Sequence, residues 1–113
     1  MPQAPPPVPA KLREMLKDYP EHIEQLQEVL NRSAKRSRQI PLMPFDDAVS
    51  ALKGRLGTFI LEASGDLAAA EASGSPEDIA NAHEKERLML RTRLQSQWIA
   101  DESMYSYFRE LER

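Results

Sequence analysis

The 113-residue chain contains no cysteine. That absence excludes disulfide scaffolds, thiolate metal sites, thiol nucleophiles and redox motifs together. Aromatic residues make up only 6% of the sequence, so a core must be built from Leu, Ile, Met, Val and Ala. No apolar run approaches the ~18 residues that a membrane span requires. The opening stretch, Met1-Pro2-Gln3-Ala4-Pro5-Pro6-Pro7, lacks the basic start of a signal peptide, and the chain reads as cytoplasmic. Neither glycine-rich phosphate loop is present, nor a G-x-S-x-G nucleophile elbow.

What the sequence does have is charge, at 29% of residues and a net charge of −3, and helical periodicity. Residues 1–10 hold five prolines and are expected to form an extended, flexible tail. Pro6-Pro7-Val8-Pro9 contains one PxxP, the pattern of a docking strap. From Lys11 onward, Leu12, Met15, Leu16, Tyr19, Ile23, Leu26 and Leu30 recur at spacings of three and four. Pro20 interrupts the helix but not the stripe, so residues 11–38 read as one kinked helix or two collinear ones. An apolar connection follows over 39–45, where Pro41 and Pro44 stop a helix.

Asp46 is an acceptable cap for a helix over 46–73. Val49, Leu52, Leu56, Phe59, Ile60, Ala63, Leu67 and Ala70 form its core stripe, while Gly54, Gly57, Leu61, Gly65, Ala68 and Ala72 lie on the other side. An interior glycine costs ~1 kcal/mol relative to alanine, which points to the close approach of another backbone. Gly65 could instead end the helix as a left-handed cap. Ser75-Pro76-Glu77-Asp78 has the form of a helix start, with a capping serine, proline at the first position and a capping-box carboxylate. No Pro or Gly follows, so one long helix over 76–112 is expected. The resulting fold class is all-α: an elongated antiparallel three-helix bundle in one domain over 11–113, with a kinked N-terminal helix pair and then a long helical hairpin.

Projected as one helix, 76–112 shows three faces. Ile79, Ala82, His83, Met89, Leu90, Leu94, Ala100, Met104, Tyr107, Phe108 and Leu111 form the expected core face. Leu88 and Ile99 lie nearly opposite, with Thr92 and Gln95 between them, as a candidate self-association seam. Arg87, Arg91, Trp98 and Tyr105 share a third face whose composition is that of a binding hot spot. The bland alternative is that Trp98 covers the edge of the core.

Chemistry lacks its constellations. His83-Glu84-Lys85-Glu86-Arg87 has arginine where H-E-x-x-H needs its second metal ligand, and His83 falls on the expected core face. No catalytic residue, cofactor, small-molecule substrate or metal site is expected. The reading is therefore a non-enzymatic helical interaction module: an adaptor, chaperone, inhibitor or assembly subunit. It would present Arg87, Arg91, Trp98, Tyr105, Leu88 and Ile99 to another protein or to a second copy in a homo-oligomer. The alternative is a small nucleic-acid-associated regulator that uses the basic segment Arg32, Lys35, Arg36 and Arg38. The same cations also complement the dipole of a helix C-terminus.

Overall fold

The computed structural model describes residues 5–39, 43–94, 98, 99 and 101–111. Among these the fold is all-α, with five helices and no strand: α1 Ala10–Met15, α2 Pro20–Gln39, α3 Pro44–Ser73, α4 Pro76–Leu94 and α5 Glu102–Glu110. The chain divides into two compact units, one made of residues 1–55 and 96–113, the other of residues 56–95.

The first unit holds α1, α2, the beginning of α3, and α5. Leu12, Leu16, Leu26, Val29, Leu30, Ala34, Ala48, Leu52, Met104 and Phe108 are all buried there. Residues 16–19 separate α1 from α2, so 11–38 forms two helices. The proline-rich segment departs from expectation. Over its described part it is no flexible tail, because Pro6, Val8 and Pro9 are buried. Proline has no amide N–H to leave unsatisfied, so such a segment can lie on apolar surface with only its carbonyls to provide for. Gln27 provides for one of them, donating through Nε2 to the Pro6 carbonyl at 2.6 Å.

Helix α3 starts at Pro44 rather than after Asp46. Proline suits the first helical position, and the shift places Asp46 and Asp47 in the positive first turn. The apolar connection shrinks accordingly, and its residues 40–42 lie outside the described residues.

The expected 76–112 helix is two helices. α4 ends at Leu94, Trp98 and Ile99 sit in a tight 3₁₀ turn, and α5 begins at Glu102. Asp101 makes the break: its carboxylate accepts the Met104 N–H at 2.9 Å and the Ala10 N–H at 3.0 Å. One side chain thus caps both α5 and α1. The break also brings Trp98 into the core at 1% exposure. Burying a tryptophan removes roughly 150–250 Å² from water, worth about 4–6 kcal/mol. Helix propensity, at ~0.7 kcal/mol or less per residue, does not match that.

The second unit is an antiparallel hairpin of α3, from residue 56 on, and α4. Gly74 turns the chain at φ 77°. Ser75 Oγ accepts the Asp78 N–H at 3.4 Å, the start the sequence indicates. Gly65 does not end α3. Across the hairpin Ser64 Oγ donates to Glu86 at 2.7 Å, and Lys85 lies 3.7 Å from Asp66. Leu56, Phe59, Ala63 and Leu67 are buried on α3, and Met89 and Thr92 on α4. The buried Thr92 hydroxyl finds its partner locally, donating to the Leu88 carbonyl at 2.8 Å.

Helix α4 therefore buries only part of the expected face: Met89 is buried, and Ile79 and Ala82 are half-buried. His83, Leu90 and Leu94 are exposed, Leu88 is half-buried and Thr92 is buried. The expected face was averaged over an unbroken helix. Met104, Phe108 and Leu111 drew that average round toward Leu90 and Leu94, but they belong to the other unit.

Two glycines make opposite predictions. A Cβ at Gly54 would meet nothing within 4 Å and the residue sits inside α3, so Gly54→Ala should raise stability by ~1 kcal/mol. Gly74 has the left-handed backbone, and Gly74→Ala should cost about 1–2 kcal/mol. Urea midpoints moving in opposite directions are the expected result. Midpoints that moved together would contradict it.

Candidate interaction surface

Among the described residues the large hydrophobic side chains left exposed are Met43, Leu61, Leu90, Leu94 and Tyr105. Leu61, Leu90 and Leu94, at 75%, 40% and 78% exposure, belong to the hairpin unit. Helical spacing places each relative to the bonds that cross the hairpin. Residues three and four apart share a helix face, so Leu61 and Ala68 project on the same side of α3 as Ser64. Leu90 and Leu94 likewise share a side of α4 with Glu86. Ser64 and Glu86 are hydrogen-bonded to each other, so both sets lie on one side of the hairpin. The same bond and the Asp66–Lys85 pair fix the register, which puts Leu61 level with Leu90 and Gly57 level with Leu94.

Toward the turn this side carries small and larger residues together. Ala68 and Ala72 are exposed, as is His83, and Ile79 is half-buried. No Cβ contact would arise at Gly57 or Gly65, so the close approach expected there is not made among the described residues. Charge also changes along the hairpin. Residues 66–84 carry Asp66, Glu71, Glu77, Asp78 and Glu84 without one Lys or Arg. Residues 85–94 carry Lys85, Arg87, Arg91 and Arg93 against Glu86 alone. The chain is thus acidic over 66–84 and basic over 85–94, with Asp66 and Lys85, one from each run, paired across the hairpin.

The site residues read from the sequence fall in both units. Arg87 and Arg91 are exposed on α4, within the hairpin unit. Trp98 is buried and belongs to the other unit, which corrects its place on a binding face. Among the described residues its Nε1–H has no hydrogen-bond partner. Tyr105 is exposed on α5 but engaged: its ring meets Phe45 edge-on at 5.1 Å, and its hydroxyl accepts from Arg109 at 3.0 Å. Leu88 and Ile99 are both half-buried and fall in different units, and the single helix expected to carry both is broken between them. His83 is exposed and not a core residue. The exposed leucines were missed for a physical reason: Leu90 and Leu94 fit a core stripe as well as a surface one until the helix end at 94 is known.

The basic segment is drawn into the fold. Arg32 pairs with Glu28 one helical turn away. Arg36 lies 2.9 Å from Asp47, which also accepts a hydrogen bond from Ser33. Arg38 donates to the Tyr107 hydroxyl at 2.9 Å. Lys35 is exposed. Arg36 and Arg38 sit in the last turn of α2, where a cation is favoured by the helix dipole.

Among the described residues no three His, Asp or Glu side chains are grouped to hold a metal ion. No described helix is long and apolar enough to cross a membrane. Comparison with known protein families, curated proteins and solved structures finds no match to this chain.

Proposed function

We propose that this chain is a non-enzymatic, cytoplasmic protein–protein interaction module that works through the outer side of its α3–α4 hairpin. The observation that carries the reading is that Leu61, Leu90 and Leu94 all stand exposed in one unit, the last two on the helix that also exposes Arg87 and Arg91. A leucine moved from water into an interface contributes ~1.5–3 kcal/mol when fully buried, so three together are a substantial drive toward a partner. Exposed leucines scattered singly would need no such account. Arginine at the margin adds directional pairing with a carboxylate. The basic segment of α2 supports this reading over nucleic-acid binding, because Arg32, Arg36 and Arg38 already have partners inside the chain.

The test places a photo-crosslinking amino acid at Leu94 in producing cells, with the same group at exposed Arg13 as the control. Protein adducts at 94 and none at 13 are expected. No protein adduct at 94, or nucleic acid as the only adduct, would overturn the proposal.

A further inference from the structure

Two of the exposed large hydrophobic side chains, Met43 and Tyr105, belong to the first unit rather than to the hairpin unit. They are not scattered singly. With Phe45 and Asp46 they line one recess of about 180 Å³. The rings of Phe45 and Tyr105 meet there edge-on, at 5.1 Å and 77°. Met43 has a left-handed backbone, φ 49°, which a non-glycine residue adopts only at a cost. Its thioether is flexible and polarisable, so it makes an adaptable wall.

Volume sets the kind of occupant. Sites for small molecules run to ~300–1,000 Å³, while a cavity of ~150 Å³ accommodates a benzene ring. The recess therefore has room for one side chain rather than for a cofactor or a metabolite.

The carboxylate sets the occupant's charge. Asp47 is committed to Ser33 and Arg36, whereas the Asp46 side chain makes no hydrogen bond or ion pair among the described residues. Whatever fills the recess takes that carboxylate out of water. This is unfavourable unless the occupant brings a counter-charge and hydrogen bonds, which excludes an acidic or a purely apolar side chain. Aromatic rings favour a cation as well.

We infer that the recess takes one arginine side chain of a partner protein. A guanidinium is planar and weakly hydrated, stacks on rings and gives a carboxylate two parallel hydrogen bonds, so it suits these walls better than an ammonium. Tyr105 already receives one guanidinium within the chain: that of Arg109 lies 5.8 Å from its ring centroid and bonds its hydroxyl at 3.0 Å. Arg109 is not among the residues that line the recess, and Asp46 supplies the negative charge that a second guanidinium needs beside the first. The inference goes beyond the proposed function, since it concerns the other unit. Crosslinking at 94 reports on the hairpin alone, so either reading can fail without the other.

Two-dimensional NMR of the full chain tests the inference, with N-acetylarginine amide as the probe. Shifts confined to Met43, Phe45, Asp46, Tyr105 and their chain neighbours are expected, saturating at a concentration on the order of 1–10 mM. The citrulline counterpart, alike in shape but uncharged, should move none of these signals. The lysine counterpart should bind several-fold more weakly. Asp46→Asn keeps the shape of the wall and should weaken the arginine probe about tenfold or more. Asp46 is exposed, so the variant should melt near the wild type. Glu24→Gln, at an exposed acid of α2, should leave binding unchanged. Citrulline that binds as well as arginine, or an Asp46→Asn chain that binds as the wild type does, would overturn the part given to charge. Shifts absent, or spread over exposed acids generally, would overturn the site. A lysine probe that binds as tightly would overturn the choice of arginine.

Discussion

Trp98→Ala is expected to lower stability by about 3–5 kcal/mol, the cost of truncating a large buried aromatic. For a domain of this size that corresponds to a fall in melting temperature of roughly 10–20 °C. The side chain is 1% exposed and shares the first unit with Phe108, Met104 and the leucines of α1 and α2. Removing it deletes the largest apolar surface in that unit and leaves a cavity that its neighbours refill only in part. Trp98→Phe should cost less than alanine. It keeps most of the volume and removes an indole N–H that has no partner among the described residues. A tryptophan on an open binding face would give a different result, with alanine changing stability by ~0.5 kcal/mol or less. Thermal unfolding of the three proteins, followed by circular dichroism, separates the two cases. A melting point for Trp98→Ala within about 2 °C of the wild type would contradict the buried placement.

The second large effect belongs to Asp101. Asp101→Ala strands two helix N–H groups at once, on Met104 and on Ala10. One lost cap costs about 0.5–2 kcal/mol, so roughly 2 kcal/mol is expected for the pair. Asparagine offers a finer reading. It has one acceptor oxygen, where the carboxylate uses both Oδ1 and Oδ2, so it can serve one helix but not two. Asp101→Asn should therefore fall between alanine and the wild type in urea unfolding. An asparagine variant as stable as the wild type would mean that the Ala10 contact contributes nothing. Alanine within ~0.5 kcal/mol of the wild type would remove the double cap altogether.

These two residues also mark where sequence reasoning stops. Helices were legible wherever the signal is local: Pro20 opens a helix, Ser75-Pro76-Glu77-Asp78 opens α4, and Gly74 closes α3. The stripe Leu52, Leu56, Phe59, Ala63, Leu67 was legible because its spacing holds along a single unbroken helix. The break after Leu94 was not, because no Pro or Gly announces it. It depends on a carboxylate meeting an amide 91 residues away and on an indole finding room in a core assembled from distant segments. Tertiary burial overrides propensity there, and everything read from the assumption of one long helix shifts with it. The helix expected to carry Arg87, Arg91, Trp98 and Tyr105 on one face and Leu88 and Ile99 on another is broken, and Leu90 and Leu94 pass from core to surface. The proline-rich segment was misjudged for a related reason, since its partner, Gln27, is itself a polar residue of a helix with no local mark of that role.

The bond between Asp101 and Ala10 has a consequence for the order of folding. The contacts of the hairpin, such as Ser64 with Glu86, join residues 22 apart, whereas the Ala10–Asp101 contact joins residues 91 apart. Chain closure loses more entropy as the loop lengthens, so local contacts form first. The hairpin, whose residues 56–95 interrupt the first unit in sequence, is the part that can zip up early. Once it has, those residues no longer act as free loop, and the ends of the first unit have a much shorter effective chain to close. The inserted hairpin is thus a folding aid to the unit it interrupts, and the cap at Asp101 is among the last contacts to form.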